Sequence, residues 1–321
     1  MRRNGKYLRR HDKNYILVIF IITVCSDVAF TNCDSRHPWL AANAVFFIWR
    51  HDKNYIRVIF IITVCSSVAF TNCDSRHPWL AANAVFLMEI KMKILIISDA
   101  HGNVENIEKL SEQAKNADLV LFGGDFAKFN CPETGKPALE ALVKNSDSIF
   151  AVLGNCDEPD FISEIEDADI CVQKSMVFKD GLVIAGSGGG SKFSGDTPFE
   201  RTEEELVQDF DVIKNSLSQI ADDDGKCSSL VLIMHNPPKD TKADVIPGDI
   251  HVGSQKLREF IESTQPVLVV TGHIHESAGI DKIGDSTVIN PGALMEGKYA
   301  LAELEKTDGK WVVKSAELRS L

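Results

Sequence analysis

The chain lacks the cysteine spacing that marks disulfide-rich domains and structural zinc sites. It has 321 residues and eight cysteines, and no two cysteines form a C-x-x-C pair. This spacing argues against both a disulfide framework and a zinc module. A reducing cytoplasm is therefore the expected location.

Residues 92–321 also lack an excess of basic residues. They carry 22 Lys+Arg and 40 Asp+Glu, net −18, whereas residues 1–91 carry 12 and 6, net +6. A strongly negative domain repels nucleic acid, and no RNA-binding aromatic motif is present. Nucleic acid is therefore not an expected partner, and a small-molecule substrate is favoured. The sequence leaves a homo-oligomer possible.

The phosphate-binding glycine motifs are missing as well. Gly186 to Gly190 reads G-S-G-G-G, without the G-K-[ST] of a P-loop or the G-x-G-x-x-G spacing of a dinucleotide site. We interpret this run as a flexible loop or a lid over a site.

No apolar run reaches the ~20 residues that a membrane-spanning helix needs. The first part of the chain instead contains a near-perfect tandem repeat, residues 11–46 and 51–86, with differences only at Leu17/Arg57 and Asp27/Ser67. Two near-identical copies indicate a recent duplication rather than a solenoid. Arginines ahead of the first apolar run leave membrane association as an alternative for this segment.

Met92 opens directly onto a strand pattern. We therefore predict two parts: residues 1–91, a dispensable leader or mis-extended reading frame, and residues 92–321, one α/β domain with no membrane contact.

The predicted domain begins with M-K-I-L-I-I-S-D-A-H-G-N, from Met92 to Asn103. The apolar run predicts a strand buried on both faces of a parallel sheet. Alternate residues of an extended segment share a face, so Asp99 and His101 should point together from its carboxyl end. Ligands of open α/β sheets bind at that edge.

Four further apolar runs, each predicted to be a strand, are followed directly by polar residues, in most cases with a glycine among them. We call these polar segments at the strand ends exits. With their exits, the four runs read L-V-L-F-G-G-D, I-F-A-V-L-G-N-C-D, L-V-L-I-M-H-N and V-L-V-V-T-G-H-I-H, and end at Asp125, Asp157, Asn236 and His275. The glycines would allow sharp turns and close approach to a ligand. Five such exits are hard to explain by packing.

Between these exits the pattern alternates strand and helix. The predicted helices are 104–116, 138–145, 203–221 and 255–263. A hairpin is expected at 176–185, and two late strands around 287–289 and 311–315, with Asn290 to Gly292 turning between them.

The exits supply carboxylate, amide and imidazole donors but no obvious thiolate ligand. This donor set suits Mn, Fe, Zn, Co or Mg. Seven ligands are too many for one ion that must leave room for substrate, so two ions about 3.5 to 4 Å apart are expected. The candidate ligands are Asp99, His101, Asp125, Asn155, His235, His273 and His275.

The ordered set D-A-H, G-G-D, G-N-C-D, H-N and G-H-I-H resembles the five signature blocks of the calcineurin-like metallophosphoesterases. The resemblance implies a four-layer α/β/β/α sandwich of two mixed sheets. It further implies that Asp125 bridges two metal ions, one held by Asp99, His101 and His275 and the other by Asn155, His235 and His273. The T-P-F-E insertion resembles small prokaryotic-type cytosolic members.

The resemblance also indicates which residues carry the catalytic functions: Asn155, Cys156, Asp157 and His235. One of them departs from the pattern, because many members have G-N-H-[DE], whose histidine protonates the leaving group, where this chain has Cys156. The thiol could ligate, oxidise or simply fill space. His251, the only histidine after Met92 outside the exits, could reach the site instead.

The resemblance implies a divalent-metal-dependent hydrolase of phosphate esters, with a phosphodiesterase favoured. It would use a metal-bridging hydroxide at a dinuclear site, with Mn²⁺ the expected ion and Fe, Zn, Co, Ni or Mg alternatives. One rival is a non-catalytic interaction module on the same fold, similar to the small subunit of the retromer coat. The other is a nuclease. The filled ligand positions count against the module, and the acidity counts against the nuclease.

Overall fold

The computed structural model describes the backbone of residues 17–21, 43–51, 55–63 and 90–321, and the side chains from residue 91 onward. The chain divides into two units, Met1–Met88 and Glu89–Leu321. The predicted boundary at Met92 lies close to this division, and the leader role of the first segment stays a prediction.

The described parts of the first unit are three strands in one antiparallel sheet of order β1-β2-β3. These strands are β1 Leu17–Ile21, β2 Asn43–His51 and β3 Tyr55–Thr63. The rest of the tandem repeat lies outside the described residues.

The second unit alternates strands and helices. Its strands are β4 Ile90–Ile97, β5 Leu119–Phe122, β6 Ile149–Ala151, β7 Met176–Lys179, β8 Leu182–Ser187, β9 Gly190–Ser191, β10 Glu200–Arg201, β11 Leu230–Met234, β12 Val245–Ile246, β13 Ile250–His251, β14 Leu268–Val270, β15 Gly279–Ile283, β16 Ser286–Asn290, β17 Lys298–Thr307 and β18 Lys310–Ser320. Its helices are α1 Val104–Lys109, α2 Ser111–Asn116, α3 Gly135–Asn145, α4 Ile162–Asp167, α5 Glu203–Gln208, α6 Asp211–Lys214, α7 Leu217–Ile220 and α8 Gln255–Thr264.

Two large mixed sheets form the centre of this unit. One has the order β18-β17-β4-β5-β6 and the other β15-β16-β14-β11-β8-β7. The strands β4, β5 and β6 are parallel, as are β8, β11, β14 and β16, while the remaining pairs are antiparallel. Two short pairs, β9 with β10 and β12 with β13, lie outside the large sheets.

The side chains of β4 show how the layers are built. Ile94 and Ile96 belong to a core cluster with buried residues of the six-stranded sheet, so the two sheets face each other. Leu95 and Ile97 alternate with them and pack with residues of α1 and α3 on the outer face. Residues of α5, α6 and α8 cover the outer face of the six-stranded sheet in the same way. The predicted four-layer α/β/β/α sandwich is confirmed.

Several predicted elements differ in detail. The predicted helix 104–116 is divided at Leu110, whose N–H bonds the carbonyl of Ile107 in a tight turn. The predicted helix 203–221 is three short helices, because the chain turns to bury Asp209 against Arg201 and to stack Phe210 on Phe260. The first strand also starts two residues before Met92.

The largest error concerns the region after residue 290. Asn290 to Gly292 does not connect two consecutive strands, because β17 lies between the predicted pair and is hydrogen-bonded to both β4 and β18. A further strand, β15, pairs with β16 at the sheet edge. The predicted hairpin at 176–185 is confirmed.

None of the helices in the described part of the chain combines the length and the apolar character needed to cross a bilayer.

Candidate metal centre

The five polar exits meet at one edge of the sandwich. Strands β4, β5 and β6 of one sheet end just before three of the predicted ligand segments, and β11 and β14 of the other sheet end just before the remaining two. The carboxyl ends of parallel strands are where open α/β sheets bind ligands. The segments that follow these strands carry Asp99, His101, Asp125, Asn155, His235, His273 and His275.

The sequence predicted an extended backbone at Asp99 and His101, but the structure shows a different conformation. Strand β4 ends at Ile97, and both residues have left-handed backbone conformations, with φ values of 55° and 45°. Asp125 and His273 are also left-handed, with φ values of 60° and 68°. Non-glycine residues seldom adopt this conformation, and such strain is concentrated at functional sites. Turns, rather than strand alternation, bring the side chains together.

Asp125 lies at the centre of the donor set. Its Oδ2 is 3.6 Å from Nε2 of His101 and 3.5 Å from Nε2 of His235. The two histidines come from opposite sheets, so one carboxylate oxygen faces donors from both halves of the sandwich. A carboxylate in this position could be shared by two cations.

Backbone carbonyls orient both of these imidazoles. Nδ1 of His235 is 2.8 Å from the carbonyl oxygen of Gly123, and Nδ1 of His101 is 3.2 Å from that of Ala127. A carbonyl can only accept, so Nδ1 carries the proton and Nε2 presents its lone pair to the centre. A histidine that binds a metal through one ring nitrogen usually donates the N–H of the other nitrogen in this way.

Asp99, His101 and His275 form one compact group. Nε2 of His275 is 3.3 Å from Oδ1 of Asp99 and 3.2 Å from Nε2 of His101, and the three ligand atoms lie within 4.8 Å of one another. The same limit encloses Asp99, Asp125 and His235. Each group could hold an ion.

Asn155 and His273 extend the centre on the side of His235. Oδ1 of Asn155 is 2.8 Å from Nε2 of His235, and the rings of His235 and His273 are 5.2 Å apart between centroids. The N–H of His273 donates to the carboxylate of Asp99 at 3.2 Å. The structure therefore brings all seven predicted ligands into one neighbourhood, although their role as ligands stays a prediction.

Three of the four candidate imidazole ligands have a protonation state that suits a cation. Burial lowers the pKa of His101 and of His235, and burial together with His235 lowers the pKa of His273 to about 3, so these imidazoles are neutral at pH 7. Neutral imidazole is the form that binds metal.

The pKa values of the carboxylates of Asp125 and Asp99 are shifted in opposite directions. Burial and the charges of Asp157 and Asp99 raise the pKa of Asp125 well above its usual range. Burial also acts to raise the pKa of Asp99, but its hydrogen bond with His275 and the surrounding imidazoles outweigh burial and leave that pKa lowered. Among residues 91–321, the ion-pair partners of both carboxylates are imidazoles rather than Lys or Arg. A divalent cation would supply the missing positive charge.

Two glycines allow this crowding. A Cβ at Gly154 would lie 1.9 Å from Oδ1 of Asp125, and a Cβ at Gly272 would lie 2.6 Å from Oδ2 of Asp99. The predicted glycine lid has a different role. Gly188, Gly189 and Gly190 are buried, and a Cβ at Gly190 would contact the ring of His273 at 3.3 Å. The run forms part of the wall of the site.

Asp157 and Cys156 follow Asn155 but are placed differently. Asp157 is fully buried, and its carboxylate accepts N–H groups from Asp125, Ala127 and Gly154 at 2.8 to 3.0 Å. Burial raises its pKa to about 6 against these donors, so it is ionised at pH 7. This geometry favours a positioning role for Asp157; its catalytic role stays a prediction.

The Cys156 thiol lies in the centre itself. Its sulfur forms a possible ligand group with His101 and Asp125, and it is 3.7 Å from Nδ2 of Asn155. Burial and the neighbouring Asp125 raise the pKa of the thiol, which keeps it protonated near neutral pH.

The sequence did not predict the carbonyls of Gly123 and Ala127 that orient the histidines, because any residue type provides a carbonyl.

Comparison with known proteins gives the family. A family model described as the calcineurin-like phosphoesterase superfamily domain matches residues 92–307. The chain belongs to this superfamily. Its members are metal-dependent phosphoester hydrolases, although some are non-catalytic, and the donor groups described above match their use of divalent metals.

The chain is also similar to individual proteins. The uncharacterized protein MJ1162 of Methanocaldococcus jannaschii is 33% identical over 207 residues, which cover 62% of this chain and 88% of the relative. The UPF0046 protein K07C11.7 of Caenorhabditis elegans is 26% identical over 229 residues, covering 64% and 71%. The crystal structure of TT1561 from Thermus thermophilus matches with a TM-score of 0.53 at 19% identity, covering 72% and 99%, which shows the shared fold.

Proposed function

We propose that this calcineurin-like domain is a divalent-metal-dependent phosphodiesterase acting on a small-molecule phosphoester. The position of Asp125 carries the proposal. Its Oδ2 faces Nε2 of His101 and Nε2 of His235 at 3.6 and 3.5 Å, and both nitrogens have their lone pairs directed inward. Such a shared carboxylate is the central requirement of a two-ion site.

The neighbouring donors divide into two sets around Asp125. Asp99, His101 and His275 would hold one ion, because their ligand atoms form one group. Asn155, His235 and His273 would hold the other, on the opposite side of Asp125. We expect Mn²⁺ in both positions, since oxygen and imidazole donors suit it.

The ions, when bound, would supply an activated water molecule and positive charge for the oxygens of the phosphoryl group. The residues of the chain have the other tasks. Backbone carbonyls and Asp157 keep the ligands oriented, so little reorganisation is needed during reaction. A side chain at position 190 would press against both Asn155 and His273, so Gly190 leaves room for these two ligands.

Charge favours a small substrate over nucleic acid. Residues 92–321 carry net −18, which would repel a polyanion in the absence of bound metal. This counts against the nuclease alternative.

Hydrolysis of bis-p-nitrophenyl phosphate is the direct test. The protein should turn the diester over with Mn²⁺, lose activity after chelation and recover it on reloading. The matched monoester, p-nitrophenyl phosphate, should react more slowly. No turnover of either ester with any of Mn, Fe, Zn, Co, Ni or Mg would favour the non-catalytic interaction module. Faster turnover of the monoester would identify a phosphomonoesterase.

A further inference from the structure

A histidine–carboxylate pair lies outside the ligand set. Nδ1 of His251 is 2.7 Å from Oδ1 of Asp244. The side chain of Asp244 is fully buried, whereas that of His251 is 35% exposed. A buried carboxylate that holds one face of a partly exposed imidazole resembles the arrangement by which enzymes orient a proton-transferring histidine.

Asp244 is itself fixed by its surroundings. Its carboxylate accepts N–H groups from Thr241 at 2.8 Å, Gly253 at 3.0 Å and Asp240 at 3.1 Å. An acceptor-only carboxylate requires that Nδ1 of His251 donates. Nε2 therefore lies on the side of the ring away from Asp244, and no hydrogen-bond partner for it is found among residues 91–321.

The charge on this imidazole is favoured. The hydrogen bond to Asp244, together with the charges of Asp244, Asp240 and Asp249, raises the pKa of His251 against the opposing effect of burial. A larger fraction of His251 is therefore protonated at neutral pH than for an isolated histidine.

The loop that carries the pair is connected to two of the ligand segments. It begins at Pro237, two residues after His235, and a Cβ at Gly253 would lie only 2.7 Å from Pro238. At the far side, β12 pairs Val245 with His251, and the carbonyl of Val245 accepts the hydroxyl of Ser277, two residues after His275.

A second contact fixes the same edge. Nδ2 of Asn290 donates to the carbonyl of Ala243 at 3.3 Å and to that of Ile274 at 2.9 Å. Ile274 lies between His273 and His275. The side chain of Asn290 therefore links Ala243, which precedes Asp244, to Ile274. The backbone on both sides of Asp244 is thus fixed beside residues 273–277, the segment that carries two candidate ligands.

We propose that His251 is the proton donor to the leaving-group oxygen, with Asp244 as its positioning residue. The inference rests on the proposed phosphodiesterase function. As water adds to phosphorus and the bond from phosphorus to the leaving oxygen breaks, the proton on Nε2 of His251 passes to that oxygen. The water loses its proton to solvent, and neutral His251 is protonated again by solvent.

This assignment accounts for the departure at Cys156. The histidine expected there by resemblance is absent, and the protonated thiol of Cys156 is a weaker acid than an imidazolium. His251 supplies the missing acid from a different loop.

The test varies the leaving group. Phosphodiesters with p-nitrophenol, phenol and an alcohol as leaving groups are compared in wild type and His251→Asn. We expect kcat/KM to fall in every case, with a loss that grows with leaving-group pKa and reaches ~10²- to 10⁴-fold for the alcohol. Equal losses across the series, or no loss, would overturn the inference.

Two further variants separate chemistry from structure. His251→Ala should regain alkyl-ester activity on addition of imidazole, whereas a structural histidine would show no such rescue. Ile250→Ala is the matched control, because it shortens an exposed, uncharged side chain of the same hairpin and leaves the hydrogen bond between Asp244 and His251 in place. It should leave the dependence on leaving group unchanged. A wild type inactive on every ester would overturn the proposed function and this inference together. An active wild type with a parallel His251→Asn series would overturn this inference alone.

Discussion

The backbone N–H of Cys156 donates a hydrogen bond to Oδ1 of Asp125 at 2.8 Å. This contact occupies one carboxylate oxygen and leaves the other directed at His101 and His235. The sequence block G-N-C-D thus contributes through its backbone as well as through its side chains. It orients the carboxylate on which the two-ion proposal depends.

Asp125→Asn should weaken both ion positions at once. The amide oxygen can still accept the N–H of Cys156, so the fold should persist, but a neutral amide cannot replace a shared carboxylate. Loss of an outer hydrogen-bond partner of a metal ligand costs ~10- to 100-fold in affinity or activity, so loss of the shared ligand should exceed ~100-fold in kcat. Turnover and bound metal are measured in parallel. Activity within a few-fold of wild type would show that Asp125 is not the shared ligand of the two ions.

Asp157→Ala should destabilise the domain. Three buried N–H groups would lose their acceptor, at about 1 to 3 kcal/mol each. The free energy of unfolding in urea should therefore fall by about 3 kcal/mol or more. Asp160→Ala, at an exposed position in the same loop, serves as the control and should change stability by less than ~0.5 kcal/mol. Equal effects of the two substitutions would contradict the positioning role.

Cys156→Ser should lower the activity only modestly. The thiol is buried and protonated near pH 7, and the contact that orients Asp125 comes from the backbone of residue 156. We expect kcat/KM for bis-p-nitrophenyl phosphate to remain within ~10-fold of wild type, below the usual contribution of a general acid. A loss above ~100-fold with unchanged metal content would show that the thiol takes part in the chemistry.

A truncated protein that begins at Glu89 should fold and keep full activity, because every candidate ligand follows that residue. A start at Met92 should fold with lower stability, since Ile90 and Lys91 pair with Lys306 and Glu305. Thermal unfolding and turnover of both truncated proteins are compared with the full chain. If the Glu89 protein were insoluble or inactive while the full chain worked, the amino-terminal unit would be structural.

Short buried strands and their polar exits were predictable from sequence because burial on both faces leaves a continuous apolar run. Strand β17 was not predictable in this way. Its A-L-A-E-L-E-K stretch consists of good helix formers, yet pairing with β4 and β18 on both sides holds it extended. The long-range pairing partner decides its structure.

The site shows the same division. Residue types at the exits indicated which donors would meet, but not how. The left-handed backbone at Asp99 and His101, and the burial of Asp157 behind the centre, depend on contacts between segments far apart in the chain. Asp244 was missed because nothing in its sequence neighbourhood marks it as the partner of His251.

The number of divalent ions bound per chain distinguishes a dinuclear hydrolase from an interaction module. The purified protein is stripped with a chelator, reloaded with Mn²⁺, freed of excess ion and analysed by mass spectrometry beside an assay of diester turnover. The two donor sets around Asp125 predict two ions per chain together with turnover. One ion or none, without turnover, would contradict the dinuclear phosphodiesterase and favour an interaction module.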